Sequence, residues 1–491
     1  MNPPRALVVD LNNFARYPTL AVGYLISALR RSSFRVDLLS PLSRGLPATE
    51  RERQETLRDQ VKRRVYFSTH PATIGLHDLA YTVRSRQMGK PHPQVLAETR
   101  RAFAQNLPDI LLLSAYVDHY PSVVALADIA ANHRVPVLVG GPVFNVPQIA
   151  DEWTGIRGVT AVVGGEVDLT LPDIVTAAIA GEDLAAYPGT FLPDGRRGPP
   201  AAPLQELEKL PIPDFTDFPW EKYPVPIIPA MTGRGCSWGL CTFCGDVRTA
   251  NGRTFRSRPV ELVLDELEEQ SARHQTNDFI FLDIKLNSNL AMWRGLLGSL
   301  RDRIPRARWI GVVHVQASGD NGLSRDELRA AHASGMTRVT FGLESGSQRL
   351  NDSMAKGINL ERTSQFIRDA YEAGISVRTT AFLGYPGETA EDIIATTRFL
   401  RDHERYLDRV RLGLFKAIPG TRFHELYEKR PARYASVTHF KWDFRYGRAS
   451  YQYEAAKDRT YRREKTRLLN FVHHLNRQPL RGGAEVFDGL M

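Results

Sequence analysis

Short apolar runs, each followed by an amphipathic helical stretch, recur along most of the chain, and no other feature narrows the fold so far. The first set opens with Ala6-Leu7-Val8-Val9-Asp10-Leu11, a run suited to one buried parallel strand. A helix pattern follows, with Val22, Leu25, Ile26 and Leu29 at the i, i+3, i+4, i+7 spacing. Residues 34–39, 109–113, 136–139 and 159–163 read as four more strands, with a helix over 123–131. This alternation predicts an α/β fold with a doubly wound, Rossmann-like sheet, whose crevice lies beyond the carboxyl ends of its strands. The candidates there are Asn12, Asn13, Ser114, Tyr116, Gly140, Gly141, Gly165 and Glu166. No Gly-x-Gly-x-x-Gly follows the first strand, which disfavours a dinucleotide. The glycines at 140–141 and 164–165 read equally as turn residues or as places where a large flat ligand meets the backbone.

An insertion at about 41–105 is too long for an ordinary connection. Within it, 51–64 mixes both charge signs and reads as an exposed helix, while 66–88 is rich in aromatics and His and is placed over the crevice. His70, His77 and His92 read as packing or surface residues rather than ligands. The Pro- and Gly-rich stretch 187–223 is a linker that contains a domain boundary.

The second half repeats one unit six times, with strands at 227–231, 279–283, 309–316, 337–344, 375–383 and 409–415. Ser324 with Glu327, and Thr389 with Asp392, read as capping boxes, and Gly335 and Gly374 as helix stops. Six such units with right-handed crossovers predict a barrel or partial barrel, with its site at the carboxyl ends of the strands. The basic, aromatic tail at 425–491 reads as packing on that barrel or closing over a substrate, in preference to stacking nucleobases.

A chain of 491 residues implies roughly two or three domains. No uncharged apolar run approaches the ~18 residues of a membrane span, and the first residues lack signal-peptide character, so a cytoplasmic protein is expected. The net charge of +9, spread over this length, reads as a solvated surface and makes nucleic acid an unlikely partner.

All three cysteines, Cys236, Cys241 and Cys244, fall within nine residues at the end of the first strand of the second half. That excludes a disulfide framework and points to one metal centre. Zinc wants a fourth Cys or His, and no His lies in the loop. An electron-transfer cluster normally takes four thiolates. Three thiolates instead describe a cluster with one iron open to a substrate or cofactor.

The segment Arg234-Gly235-Cys236 to Cys241-Thr242-Phe243-Cys244-Gly245 resembles the cysteine loop of radical S-adenosylmethionine enzymes. Two further segments are similar to that family's fourth- and fifth-strand signatures: Phe341-Gly342-Leu343-Glu344-Ser345-Gly346 with Lys356-Gly357, and Leu383-Gly384-Tyr385-Pro386-Gly387-Glu388-Thr389. The first half resembles the cobalamin-binding domain of one large subgroup, at residues 114–116, 140–142 and 164–166. The resemblance implies three cofactors: a four-iron four-sulfur cluster on Cys236, Cys241 and Cys244, S-adenosylmethionine on its open iron, and cobalamin. It implies Phe243, Glu344 and Gly384 as further cofactor contacts, with Glu344 taking the methionyl amine, while Asp283 and Gln316, at the ends of the second and third strands, face the same mouth and read equally as cofactor contacts or as strand-end caps. Ser114, Tyr116, Gly140, Gly141, Gly165 and Glu166 are implied for cobalamin.

The implied layout is 1–190 Rossmann-like cobalamin domain, 191–223 linker, 224–420 partial (β/α)6 barrel and 421–491 C-terminal extension. The implied activity is C-methylation of an unactivated carbon in a small-molecule or peptide substrate of secondary metabolism, with electrons from flavodoxin or ferredoxin. A cofactor-matched rearrangement or cyclisation, and a non-catalytic metal-binding module, are the alternatives. Two departures stand out. Residues 237–240 make the first inter-cysteine spacing one residue longer than the family's usual one, and no Asp-x-His-x-x-Gly is present to supply a histidine to cobalt.

Overall fold

The computed structural model describes residues 3–12, 16–46, 53–69, 91–249 and 254–490. Strands β1 (Arg5–Asp10), β2 (Arg35–Leu39), β3 (Ile110–Ser114), β4 (Val137–Gly140), β5 (Ala161–Val163) and β6 (Thr190–Phe191) form one sheet in the order β2-β1-β3-β4-β5-β6. The first five are parallel, and β6 is antiparallel at the edge. Strand side chains alternate between two cores, as the period-two geometry requires. Ala6, Val8, Ile110 and Leu112 face helices Leu20–Arg31 and Leu171–Ala180. Leu7, Val9, Leu111 and Leu113 face helices Pro93–Gln105, Tyr120–Asn132 and Pro147–Thr154. This is the doubly wound layer structure expected of the first half.

The second sheet contains β7 (Ile228–Ala230), β10 (Asp278–Phe281), β11 (Arg308–Val313), β12 (Met336–Glu344), β13 (Ser376–Leu383) and β14 (Arg409–Leu414), in the order β14-β13-β12-β11-β10-β7. Every neighbouring pair is parallel. Sequential order with helical crossovers is a partial barrel, open between its first and last strands among the described residues. A short antiparallel ribbon, β8 (Gly233–Arg234) with β9 (Arg256–Ser257), stands above β7. The two capping boxes form as expected, and Gly335 and Gly374 follow their helices at positive φ. Trp309 of β11 packs edge-on to Phe281 of β10 and to Trp293 of helix Leu290–Arg303, at 5.4 and 6.0 Å. Both sheets contribute to one continuous hydrophobic core, through helix Leu20–Arg31, the linker residues Leu207, Phe215 and Phe218, and helix Val260–His274.

The tail packs on the barrel rather than hanging from it. After helix Arg422–Lys429 comes an antiparallel hairpin, β15 (Val437–Asp443) and β16 (Arg448–Tyr453), then helix Arg459–Asn476, which lies along helix Ala390–Asp402. Buried Arg338 at the base of β12 donates to Ala484 O and Phe487 O at 3.1 and 3.0 Å, so the last residues close the barrel floor.

Helix Leu57–Tyr66 falls within the inserted stretch. One side is exposed, as expected, but Gln60 and Arg64 donate to Asn470 of the C-terminal helix, and Glu55, just ahead of the inserted helix, accepts from Asn476 and lies 3.0 Å from His473 Nδ1. His92 caps helix Pro93–Gln105 by accepting from the Gln94 N–H. Asn13, His70, His77 and nearly all of 66–88 lie outside the described residues.

Candidate functional site

The cysteine loop leaves the carboxyl end of β7 and is fixed on every side. Asp283, just beyond β10, accepts from the Thr232 and Gly233 amides at 3.0–3.1 Å and from the Thr232 hydroxyl at 2.6 Å. Its carboxylate is thus committed to holding the loop's first residues. Burial raises its pKa to about 6 despite those bonds. Gly235, at φ +89, packs where a Cβ would meet Thr254 O at 1.9 Å.

Between Cys236 and Cys241 the longer spacing is absorbed by Trp238. Its indole lies 6.0 Å from the His314 ring and donates to Ala355 O at 3.0 Å, and Gly357 makes room beneath it. Between Cys241 and Cys244, the Thr242 amide donates to Met354 O and its carbonyl accepts from the Phe423 amide. The Thr242 hydroxyl meets Tyr385 Oη at 2.9 Å. Phe243 turns edge-on to Phe382 at 5.0 Å, with Lys356 Nζ 5.7 Å from its ring centroid.

Cys236, Cys241 and Cys244 are free thiols, each half-buried. Burial pushes the Cys241 and Cys244 thiols up, with neighbouring thiols and the Asp246 charge adding to it and Lys356 opposing it. The charge of Cys236 acts on Cys241, and that of Cys241 on Cys244. Among the described residues no three His, Cys, Asp or Glu side chains converge closely enough for a single metal ion. Three thiols on one short loop beside buried Lys356 suit an iron–sulfur cluster, which needs thiolates and compensating positive charge.

The wall opposite the loop comes from β11 and β12. Glu344 ends β12 at φ +57, across a register shift between Gly342 and Glu344, and its Oε1 accepts from buried Lys356 at 2.7 Å. A non-glycine residue in the left-handed region is uncommon and clusters at functional sites. Gln316, beyond β11, accepts from Lys285 Nζ at 3.0 Å. His314, buried under Trp238 and facing Lys356 and Lys285, is held neutral, its pKa pushed down to about 2 chiefly by burial. Gly384, at φ +83, donates its amide to Glu388 at 2.7 Å.

The carboxyl edge of the first sheet meets this mouth. Gly141 and Gly164 are packing glycines, since a Cβ there would lie 2.0 Å from Ala115 O and Phe144 O. Gly140 has no atom closer than 3.9 Å to such a Cβ, so the backbone there is open. Ser114 accepts from Asn12 Nδ2 at 3.1 Å, the buried Asn12 Oδ1 has no partner among the described residues, and Tyr116 is exposed. An open glycine beside an unanswered amide oxygen fits a broad ligand carrying its own N–H donors, as the amide-fringed corrin of cobalamin does. His119 accepts from the Tyr116 amide and so caps its own turn.

Glu166 faces the barrel instead of the crevice, taking Arg256 at 2.6 and 2.9 Å and the Leu204 amide. Asp168 takes Arg234 of the cysteine loop in a bidentate pair at 2.7 and 2.9 Å, and that pair holds its carboxyl below the usual range although burial opposes it. Sequence reasoning missed Asp168, Arg256, Lys285 and His314, because their partners are distant in the chain. For Lys285 alone there was a local signal, a charge set immediately after an apolar strand.

Residues 231–400 match the Radical SAM superfamily. An uncharacterized methyltransferase of Pyrococcus horikoshii is 27% identical over 377 residues, covering 74% of this chain and 80% of its own. The radical S-adenosylmethionine methyltransferase TsrM from Kitasatospora setae, solved with cobalamin and a four-iron four-sulfur cluster, is similar with a TM-score of 0.59 at 20% identity, over 87% of this chain and 75% of that one. The cobalamin-dependent S-adenosylmethionine radical enzyme OxsB, solved with aqua-cobalamin, gives 0.66 at 15%, over 92% and 64%. The second half is thus a radical S-adenosylmethionine domain. The fold of the cobalamin-dependent radical S-adenosylmethionine enzymes extends across both halves of the chain. No helix among the described residues is long and apolar enough to cross a membrane.

Proposed function

We propose that this protein is a cobalamin-dependent radical S-adenosylmethionine methyltransferase that alkylates an unactivated carbon of a small-molecule or peptide substrate in secondary metabolism. The observation that carries the reading is the bidentate Asp168–Arg234 pair, which ties the three-cysteine loop to the carboxyl edge of the Rossmann-like sheet. Two cofactor sites fixed face to face leave a substrate carbon between them, and such positioning is worth many orders of magnitude in rate. When bound, the cluster with S-adenosylmethionine supplies a carbon radical, and cobalamin supplies a methyl group.

The chain's own residues bind and orient. Cys236, Cys241 and Cys244 hold the cluster. Glu344, its Oε2 not engaged by Lys356, takes the methionyl amine by a charge-assisted bond. Phe243 and Gly384 line the same mouth, with Gln316 at its back. Ser114, Tyr116, Gly140, Gly141 and Gly165 border the corrin. Asp283 and Glu166 position the loop. A cytoplasmic one-electron donor of the flavodoxin or ferredoxin type completes the system.

Anaerobic reconstitution tests this reading. We expect about four irons per chain, a cobalamin absorption spectrum, 5′-deoxyadenosine formation with a strong reductant, and label from the S-adenosylmethionine methyl in a product. A chain that binds iron and cobalamin but transfers no label to any product would redirect the reading to a rearrangement. Absence of both iron and deoxyadenosine would remove it.

A further inference from the structure

Lys285 is a buried cation without a counter-charge among the described residues. Its residue is 3% exposed, and Nζ is held by two neutral acceptors, Ser237 Oγ at 2.9 Å and Gln316 Oε1 at 3.0 Å. No carboxylate among the described residues pairs with it, and the one acidic group whose field it feels is the Cys236 thiol. Its neighbour Lys356 shows the contrast, since it is equally enclosed but carries Glu344 at 2.7 Å. A desolvated ammonium is expensive unless an anion answers it, and two neutral acceptors do not. The position is also held rigidly. Ser237 belongs to the lengthened part of the cysteine loop, which Trp238 pins to Ala355 and stacks over His314. Gln316 has its oxygen turned to the ammonium, so a third Nζ proton is left for a ligand.

We propose that Lys285 is an anion-binding residue of the cofactor site, contacting the carboxylate of the S-adenosylmethionine methionyl group beside Cys236. The proposal rests on the cofactor reading above. It divides the amino-acid end of the ligand between two residues, with Glu344 on the amine and Lys285 on the carboxylate. Negative charge at the same place could equally come from the thiolate-bound cluster itself, and the experiment separates the two sources.

Wild type, Lys285→Gln and Lys285→Arg are reconstituted anaerobically, and their iron content is measured. Equilibrium dialysis then compares S-adenosylmethionine with its decarboxylated analogue, and an EPR-monitored titration without either ligand gives the cluster potential. The carboxylate assignment expects wild type to prefer S-adenosylmethionine by about tenfold or more, the effect of a charge-assisted contact. Lys285→Gln should erase that preference with the potential unchanged, and Lys285→Arg should restore much of it. A shifted potential in Lys285→Gln with the preference intact makes the cluster the anion and overturns the carboxylate assignment. Unchanged preference and potential overturn the anion site altogether. Should Lys285→Gln fail to hold iron, Lys285→Arg decides the matter, since a retained preference there supports the contact and a lost one refutes it. Failure of wild type to bind iron would instead count against the cofactor reading.

Discussion

Buried carboxylates at residues 10, 283 and 388 set how this protein responds to pH. Burial raises Asp10 and Glu388 to about 7 and Asp283 to about 6. In each case the folded chain keeps a proton that the unfolded chain has released, so stability is full below the ordinary carboxylate pKa and falls as pH rises through the folded value. Each group removes up to about 1.4 kcal/mol per pH unit inside its window. Glu388 is the cleanest test. Its Oε2 accepts from the Gly384 amide at 2.7 Å and the Tyr461 hydroxyl at 2.5 Å, which a glutamine oxygen can also do. Relative to wild type, Glu388→Gln should gain in urea midpoint on going from pH 4.5 to 7, and an unchanged pH profile would show that Glu388 does not titrate there. At the loop, Cys241→Ala should drop reconstituted iron from about four per chain to below one, read by iron and sulfide assay. These roles follow from surroundings that no single residue announces. Glu388 lay in a recognisable turn, yet its partner Tyr461 stands 73 positions away.

Elements act here mainly as clamps. Asp168 follows β5, and its bond to Arg234 joins one sheet to the other's cysteine loop. Asp168→Ala leaves Arg234 buried against the Tyr24 ring with only Glu166, at 3.6 Å, as counter-charge, a loss of about 1–3 kcal/mol for the stripped bidentate bonds. Thermal unfolding should register it, and cobalamin and iron occupancy should fall together. The β15–β16 hairpin is the second clamp. Its base packs on the barrel rim through Phe440 and Trp442, while its tip reaches the first sheet's helices. Trp153 donates to Arg445 O at 3.0 Å, and Gly447, at φ +54, sits against Val117 and Ile149. Gly447→Val should undock the tip, costing about 1–3 kcal/mol for the forced backbone alone. Faster limited proteolysis within 437–453 checks it, and wild-type resistance would refute it. The hairpin was unreadable beforehand, because interleaved aromatics and charges fit a packing ribbon, a lid or a nucleic-acid surface alike.

Across the whole molecule, the chain's two ends meet at the barrel floor. Phe487 and Leu490 share a buried cluster with Tyr17, Ile280 and Ile310, and the terminal carbonyls answer Arg338. Removing residues 477–491 deletes those acceptors and uncovers Ile280 and Ile310. We expect a fall in stability of several kcal/mol and dye-detectable apolar surface, although the catalytic loop is untouched; an unaltered melting curve would contradict this.

The sequence by itself determined the two strand–helix sets, their caps and the three-cysteine loop, because periodicity, capping and ligand spacing are local and need only neighbouring residues. It also carried the family resemblance, through motifs contiguous in the chain. Only the tertiary structure decided what faces what. Glu166 and Asp283, read from their strand-end positions as cofactor contacts, turn to hold Arg256 and the loop amides. Gly141 and Gly164 serve backbone packing, while Gly140 stays open. The physical reason is that a buried charge or a close approach is settled by whichever group folding brings opposite. Lys285 is the case in point, a lysine whose meaning comes from the counter-charge its surroundings lack.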